Sequence, residues 1–408
     1  MQTTKDVRFL RRTSPPHVVT LVLIAGISAL SMNIFLPSLP NMAAYFQADY
    51  RLMQLSVSLY LGVNAVLQVF VGPISDRYGR RPVLLWGAAL FVLATIGCLL
   101  ASTVEVFLMF RMFQAVIVTG MVLSRAIVRD MVSQDEAASV IGYVTMGMAI
   151  VPMIGPAIGG VLDAAFGWQA NFLLLAGLGV ALYALIWADV GETAIGRATS
   201  FADQAREYPE LLRSQRFWGY CAASAFSSGA FFAYLGGAPF VGSVVFGLDP
   251  EHLGLFFGAP AVGYMLGNFI TGRYSRRVGI NPMILWGTAL SAFGLVLSIL
   301  VFYAGHGSEL SFFGFMTFVG LGNGLVIPNA TSGMLSVRPS LAGTASGLGG
   351  AIMIGGGAVL SALAGATLSP ETGAYPLLWI MLATAILGVA SIFFVIRRER
   401  QIEVQEIG

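Results

Sequence analysis

Residues 72–83 read Gly-Pro-Ile-Ser-Asp-Arg-Tyr-Gly-Arg-Arg-Pro-Val, and they connect two uncharged apolar runs. Each run is long enough to cross a bilayer, which takes about 20 residues. So short a connection forces its two helices into an antiparallel pair, and Gly72 and Gly79 allow their backbones to approach closely. The three arginines indicate the cytoplasmic face, because cytoplasmic loops are enriched in Lys and Arg. The stretch therefore predicts two membrane helices joined at the cytoplasmic surface.

The whole chain is too apolar for a soluble protein. Of its 408 residues, 57% are hydrophobic and 10% are charged, and the mean hydropathy is +0.80. Soluble domains carry roughly 25% charged residues, so we expect a polytopic membrane protein. The net charge of +2 is too small to indicate nucleic-acid binding. Cys98 and Cys221 lie inside apolar runs, which favours buried hydrophobes over a disulfide.

Runs of about 20 uncharged residues predict twelve transmembrane helices. Their approximate bounds are 18–38, 53–74, 83–102, 105–124, 138–162, 169–188, 217–240, 252–271, 282–303, 310–330, 342–366 and 375–396. With a cytoplasmic N-terminus, every basic residue falls in a cytoplasmic segment except Arg51, which lies outside, and Arg111, which lies within a span. This asymmetry predicts that both termini are cytoplasmic.

An internal repeat divides the chain near its midpoint. Arg-Tyr-Gly-Arg-Arg at 77–81 recurs as Arg-Tyr-Ser-Arg-Arg at 273–277, an offset of 196, and 84–90 resembles 284–290 at an offset of 200. Both copies fall in cytoplasmic loops, which predicts parallel repeats about an axis along the membrane normal. The predicted organisation is a cytoplasmic tail at 1–17, a six-helix bundle at 18–190, a cytoplasmic loop at 191–216, a second six-helix bundle at 217–396 and a cytoplasmic tail at 397–408.

The opening stretch resembles the G-x-x-x-D-R-x-G-R-R signature between helices 2 and 3 of the major facilitator superfamily, at every defining position. The resemblance implies an all-α membrane protein of twelve transmembrane helices, in two six-helix bundles around a central cavity. It also implies a latch in which Asp76 faces the start of the eleventh helix, near Ala342, when the cavity opens outward. In the repeat at offset 196, Gly272 takes the place of Asp76. The candidate latch residues are Gly72, Asp76, Arg77, Gly79, Arg80 and Arg81.

Arg111 lies inside the predicted span 105–124, where an arginine costs several kcal/mol and should face a cavity or a partner. In one interpretation it is structural and binds backbone carbonyls of the first helix. The string Arg-Met-Phe-Gln at 111–114 also resembles the R-x-x-Q motif of the superfamily's fourth helix, whose arginine lies by the cavity and is linked to proton coupling. Ala115 replaces the glycine that usually follows. Arg111 and Gln114 are therefore candidate coupling residues.

Residues 33–40 read Asn-Ile-Phe-Leu-Pro-Ser-Leu-Pro, and together with 125–130 and 166–169 they resemble the Bcr/CflA group of drug:proton antiporters. Members usually have an aspartate where this chain has Asn33. None of the twenty acids lies deep in a predicted span. Three alternatives stay open: a rim acid such as Glu105 or Asp163 reaches the cavity, the substrate carries the proton, or transport is downhill. We expect Asn33 to lie near Arg111 and the proton drive to be weak or relocated.

Residues 152–160 read Pro-Met-Ile-Gly-Pro-Ala-Ile-Gly-Gly. Two glycines four apart favour close helix packing, and two prolines favour a bend. Tight packing alone would explain the string. The G-P-x-x-G-G pattern also resembles the helix 5 motif of antiporters in the superfamily, as opposed to its symporters, which favours export. The motif residues are Pro152, Gly155, Pro156, Gly159 and Gly160.

Other polar and aromatic residues inside the spans are candidates for a substrate cavity. Three of them lie four apart on one face of the second span, whereas interhelical hydrogen bonding explains each residue singly. Glycine-rich strings at 320–324 and 347–350 resemble phosphate loops only by letter, because no strand precedes them. The candidate cavity residues are Tyr60, Asn64, Gln68, Phe231, Tyr234, Asn323 and Asn329.

We interpret the chain as a secondary active transporter that exports small drug-like, amphipathic molecules by alternating access, with protons as the candidate coupling ion. A metabolite exporter or an uptake transporter of the same fold is the alternative. An integral membrane enzyme is a remote one, since the three histidines lie outside the spans or at their ends. We predict no enzyme activity, no metal or cofactor, no nucleic-acid partner, a monomer, and a multi-pass location in the bacterial inner membrane.

Overall fold

The structure, a computed structural model, describes residues 9–10, 16–131, 151, 154–193, 209, 211–338 and 342–407. Within these residues all regular structure is helical. Eleven helices of the described part are long and apolar enough to cross a membrane, and Ile154–Phe166 is a shorter apolar helix. Most of the predicted span 138–162 lies outside the described residues, so its full length stays a prediction.

The helices follow the predicted spans in chain order. They are α1 (Val18–Tyr45), α2 (Tyr50–Tyr78), α3 (Arg80–Leu100), α4 (Val104–Val128), α5 (Ile154–Phe166), α6 (Gln169–Asp189), α7 (Gln215–Val245), α8 (Pro250–Val278), α9 (Ile280–Tyr303), α10 (Glu309–Val337), α11 (Ala342–Thr367) and α12 (Tyr375–Ile407). The helix α12 continues through most of the segment predicted as a tail. By contact, the chain forms two compact units, Met1–Phe201 and Ala202–Gly408.

The helix α1 is interrupted near its C-terminal end. Regular helix stops at Asn33, a tight turn follows at Leu36–Ser38, and a short segment runs over Leu39–Tyr45. Pro37 and Pro40 fall in and just after this turn, and proline has no backbone N–H to continue the hydrogen-bond ladder of a helix. The prolines thus account for the break.

Glycines allow two helices of the second unit to pack at backbone distance. A Cβ built on Gly263 of α8 would overlap the carbonyl oxygen of Thr317, and one on Gly320 of α10 would overlap that of Pro260. The glycine string at 320–324 therefore lies at a helix-packing position, as expected.

The turn between α2 and α3 is a single residue. Gly79 has φ +94°, in the left-handed region that favours glycine, and helix resumes at Arg80. Gly279, between α8 and α9, has φ +93°. The two turns are related by an offset of 200, so the pairing at 196 is wrong for the turn. In the corrected register Arg276, and not Gly272, corresponds to Asp76.

Candidate functional site

Arg111 is completely enclosed within the first unit, in the part of α4 that precedes a tightened turn at Ala115–Ile117. Its side chain is 1% exposed. Nη2 donates to the carbonyl of Ser31 at 2.9 Å, and Nε donates to the carbonyl of Ser56 at 3.3 Å. The guanidinium thereby links α1, α2 and α4.

Two aromatic rings complete the surroundings of Arg111. The guanidinium carbon lies 4.4 Å from the ring centroid of Phe35 and 3.9 Å from that of Tyr60. The Tyr60 hydroxyl donates to Ser31 Oγ at 3.4 Å. Within the described residues Arg111 makes no ion pair with a carboxylate. Its charge is met by carbonyls, a hydroxyl, an amide and two π faces.

Gln114, one turn after Arg111, explains the spacing of the R-x-x-Q string. Its Oε1 accepts from Arg111 Nη1, and its Nε2 donates to Thr95 Oγ1 at 2.8 Å. Thr95 in turn donates to the carbonyl of Phe91 at 2.6 Å. Residues three apart share a helix face, so Gln114 fixes the guanidinium and extends the network to α3.

Asn33 is fully buried but is not hydrogen-bonded to Arg111. Its Nδ2 donates to the carbonyl of Ala29 at 3.2 Å, within its own helix. Its Oδ1 has no hydrogen-bond partner in the described part of the chain. The arginine instead reaches Ser31, two residues earlier. The expected pairing of Asn33 with Arg111 thus has no direct hydrogen bond to support it.

The glycines of α5 close on the break in α1. A Cβ on Gly159 would overlap the carbonyl oxygen of Ile34, whereas one on Gly155 would lie 3.1 Å from Leu30 Cδ1. Asn171 of α6 donates to the carbonyl of Gly159 at 3.2 Å and to Ser38 Oγ at 3.0 Å. The α5 string therefore seats α1 at its interruption. Pro156 and Gly160 are also buried, and Pro152 lies outside the described residues.

The candidate latch forms an ion-pair cluster inside the first unit. Arg80 Nη1 lies 2.6 Å from Asp76 Oδ1, and Arg80 Nε lies 3.2 Å from Asp130 Oδ2. Thr193 Oγ1 also donates to Asp130, at 3.2 Å. Asp76 is thus held by an arginine one turn away, and whether it also faces α11 stays a prediction.

Glu192 is a part of this cluster that the sequence did not single out. Its carboxylate accepts from the backbone N–H of Arg80 at 2.8 Å and of Arg81 at 3.3 Å. These are the first N–H groups of α3, where the helix dipole favours an anion. A Cβ on Gly79 would overlap this carboxylate. No spacing rule links residue 192 to residue 80, so only the fold could reveal it.

The remaining latch residues lie at the edge of the cluster. The exposed Arg77 lies 5.5 Å from the centroid of the Tyr78 ring, and Arg81 Nη2 donates to the carbonyl of Trp187 at 3.2 Å. A Cβ on Gly72 would meet no heavy atom of the described residues within 4 Å. The described residues therefore give no support to the expectation that Gly72 permits a close backbone approach, which stays a prediction.

A related carboxylate cluster lies at the start of α9 in the second unit. Glu399 Oε1 accepts from Arg216 Nη2 at 2.7 Å and from the Tyr220 hydroxyl at 3.0 Å, and Glu399 Oε2 accepts from Asn281 Nδ2. Asn281 corresponds to Arg81 at the offset of 200. In each unit, a carboxylate from the end of the bundle thus binds the start of the helix after the glycine turn.

The candidate cavity residues divide into two groups. Asn323 accepts from Ser227 Oγ at 2.7 Å, Tyr234 donates to the carbonyl of Phe257 at 3.4 Å, and Asn329 donates to the carbonyl of Leu325 at 2.7 Å. These three, with Tyr60 under Arg111, are buried and committed to internal bonds. Asn64 is also buried, at 7% exposed, and accepts from Gln68 Nε2 at 2.9 Å. Less enclosed are Gln68 itself and Phe231, which stacks on Tyr234.

Comparison with known proteins decides the family. The family described as Major Facilitator Superfamily matches residues 21–362. The chain belongs to this superfamily. A bacterial homolog of the human lysosomal transporter Spinster, solved in an inward-facing and occupied conformation, has a TM-score of 0.72 and 15% identity, over 94% of this chain and 96% of that one. At that identity the likeness shows the fold alone.

Relatives of this superfamily member include proteins named for drug resistance. The chloramphenicol resistance protein of Pseudomonas aeruginosa is 30% identical over 90% of this chain and 88% of its own length. The bicyclomycin resistance protein homolog of Haemophilus influenzae is 27% identical over 93% of this chain and 96% of its own. The predicted resemblance to Bcr/CflA-like proteins is confirmed. The chain is a multi-pass transporter of a bacterial inner membrane.

Proposed function

We propose that this transporter exports small, drug-like, amphipathic organic molecules by alternating access, in exchange for protons. The observation that carries the proposal is the similarity to drug-resistance proteins over most of both chains. The seating of α5 glycines on the broken α1 accords with the export motif, because it places that motif at a point where the first helix can bend.

Arg111 would hold α1, α2 and α4 together, and its positive charge would set the electrostatic potential of the nearby cavity. The guanidinium is hydrogen-bonded to α1, to α2 and to the neighbouring Gln114, so movement of any of them would change its hydrogen bonds. Its lack of a carboxylate partner among the described residues leaves a positive potential, which opposes a second cation nearby. Simultaneous binding of a proton and a cationic substrate would therefore be disfavoured. Exchange of one for the other requires this.

The less committed polar residues on α2 support a substrate-facing role. Asn64 and Gln68 bond to each other along one helix face, so their remaining donors and acceptors can turn to a ligand. Tyr60, one turn earlier, is occupied by Arg111. We propose Asn64, Gln68 and Phe231 as substrate contacts and the other candidate cavity residues as structural supports.

The test is transport by purified protein in liposomes with an imposed pH gradient, using ethidium and chloramphenicol as separate probes. Export activity should move the probe against its gradient, and an uncoupler that collapses the pH gradient should stop it. Empty liposomes and Asn64→Ala, Gln68→Ala liposomes serve as controls. Movement of neither probe under any gradient would contradict drug export, and accumulation unaffected by the uncoupler would contradict proton exchange.

A further inference from the structure

Two acidic side chains are buried among the described residues, and their surroundings differ. Asp189 is fully buried at the end of α6 and accepts from the Thr20 hydroxyl at 2.6 Å and from the backbone N–H groups of His17 and Leu10. Its carboxylate oxygens thus accept from three donors. Asp163, 6% exposed on α5, lies at the opposite end of the same bundle. Among the described residues, its carboxylate accepts from fewer donors than that of Asp189.

The partners of Asp163 are neutral and belong to the interrupted part of α1. Asn41 Nδ2 donates to Asp163 Oδ2 at 3.0 Å, and the hydroxyl of Ser38 lies near the same carboxylate. From the turn between α5 and α6, the backbone N–H of Gly167 donates to the carbonyl of Asp163 at 2.9 Å. Within the described residues, no Lys, Arg, His or second carboxylate pairs with Asp163.

A row of polar groups leads from Asp163 along the seam between α1 and α5. Ser38 accepts from Asn171, which also bonds to the carbonyl of Gly159 beside Ile34. The Oδ1 atoms of Asn171 and Asn33 are buried and have no partner in the described part of the chain. Buried acceptors without donors are costly, so a protonated group or a water in this seam would be stabilised.

We propose that Asp163 is the proton-exchanging carboxylate of this transporter, and that its protonation releases the last segment of α1, Leu39–Tyr45, from α5. The inference rests on the proposed proton exchange and supplies the titrating group that Asn33 cannot provide. As an anion, Asp163 accepts from Asn41 and thereby holds Leu39–Tyr45 against α5. When a proton from water binds Asp163 Oδ2, that oxygen becomes a donor that faces the Nδ2 donor of Asn41, the bond between them is lost, and the segment is released; deprotonation returns the proton to water.

Titration of Asp163 can be measured without transport. Infrared difference spectra between acidic and mildly alkaline pH, recorded on detergent-purified protein, report the C=O stretch of a protonated carboxylic acid. Wild type and Glu105→Gln, which lacks an exposed acid on α4, should show the same band, and Asp163→Asn should lose it. An unchanged band in Asp163→Asn would overturn the proposal, whatever the protein transports.

Coupling is then tested in liposomes with ethidium. Asp163→Asn should lose pH-gradient-driven accumulation completely while keeping downhill exchange of the probe, and Glu105→Gln should keep both. Gradient-driven accumulation in Asp163→Asn would overturn the proposal. Should Asp163→Asn fail to fold, Asn41→Ala leaves the carboxyl in place and should shift the pH at which the infrared band appears; an unshifted band would count against the pairing. Failure of wild type to move any probe would contradict the proposed export but not the infrared result.

Discussion

Arg111 stacks on Tyr60, with its guanidinium carbon 3.9 Å from the ring centroid, in a site that water does not reach. A desolvated cation–π contact contributes about 2 kcal/mol or more. Phe35 covers the guanidinium as well, at 4.4 Å. These rings, with the carbonyls of Ser31 and Ser56, account for a buried charge that has no acidic partner among the described residues.

Arg111→Ala should abolish transport, and Arg111→Lys should restore little of it. A lysine ammonium cannot spread its donors toward three helices as a planar guanidinium does. Tyr60→Phe is the matched control, because it keeps the ring and loses only a 3.4 Å bond. We expect near-normal ethidium transport by Tyr60→Phe in liposomes. Normal transport by Arg111→Ala would show that the arginine only fills space.

Asp76 and Asp130 both pair with Arg80, so each should partly compensate for the loss of the other. Asp76→Asn alone leaves Arg80 paired with Asp130, so expression should hold while transport falls. The double variant leaves an arginine buried without an acid, which costs about 3–5 kcal/mol. Thermal unfolding in detergent of both single variants and the double variant measures the coupling. Strictly additive losses would contradict a shared arginine, and unchanged transport in Asp76→Asn would rule out the latch.

Gly79→Ala and Gly279→Ala form a matched pair at the two turns. Both positions have φ above +90° with ψ of 151° and 158°, a region that is almost restricted to glycine, so each alanine should cost about 1–3 kcal/mol in backbone strain. Only at Gly79 would the new methyl group displace Glu192 from the N–H groups of Arg80 and Arg81; at Gly279 the nearest atom is Pro282 Cδ at 3.7 Å. Gly79→Ala should therefore destabilise more, by thermal unfolding. Equal losses would mean that the Glu192 cap contributes nothing.

Gly159→Ala should damage the protein far more than Gly155→Ala. At Gly159 the methyl group would meet backbone at Ile34, which cannot move without shifting α1, whereas at Gly155 it meets the flexible end of Leu30. Gly177→Ala on α6 is the control, because no atom of the described residues lies within 4 Å of the added carbon. That control should be neutral or stabilising by up to about 1 kcal/mol. Folded yield and transport check the series, and a harmless Gly159→Ala would contradict the close seating of α5.

Asn33→Asp should make transport respond more steeply to pH. The Oδ1 of Asn33 is buried and has no partner among the described residues, so an acid there adds a group that exchanges protons at the position usual for Bcr/CflA-like proteins. Uptake of ethidium into inverted vesicles, with and without a pH gradient, compares the variant with wild type. If wild-type uptake is already lost completely without the pH gradient and the variant behaves in the same way, the proton-coupling group does not lie in α1.

The sequence by itself determined the class of protein and most of its helices. A single uninterrupted apolar run is stable in a bilayer as an α-helix, because every backbone N–H and C=O group must find its hydrogen bond within the segment. The glycine, acid and arginines of residues 72–83 were enough to indicate the superfamily, and the spacing of Arg111 and Gln114 predicted that they share a helix face. These are local properties of the chain, which is why they can be read without a structure.

Only the tertiary structure decided which groups meet. Arg80 meets Asp130 and Glu192, Asn281 meets Glu399, and Gly159 meets the break in α1, all across large separations in sequence. The structure also corrected the alignment of the two repeats at the turn to an offset of 200, because the positive φ of Gly79 and Gly279 marks where each helix ends. Hydropathy gives the length of a helix in the membrane but not its rotation about its own axis. That rotation is set by packing between helices, and it decides which polar side chain faces which partner.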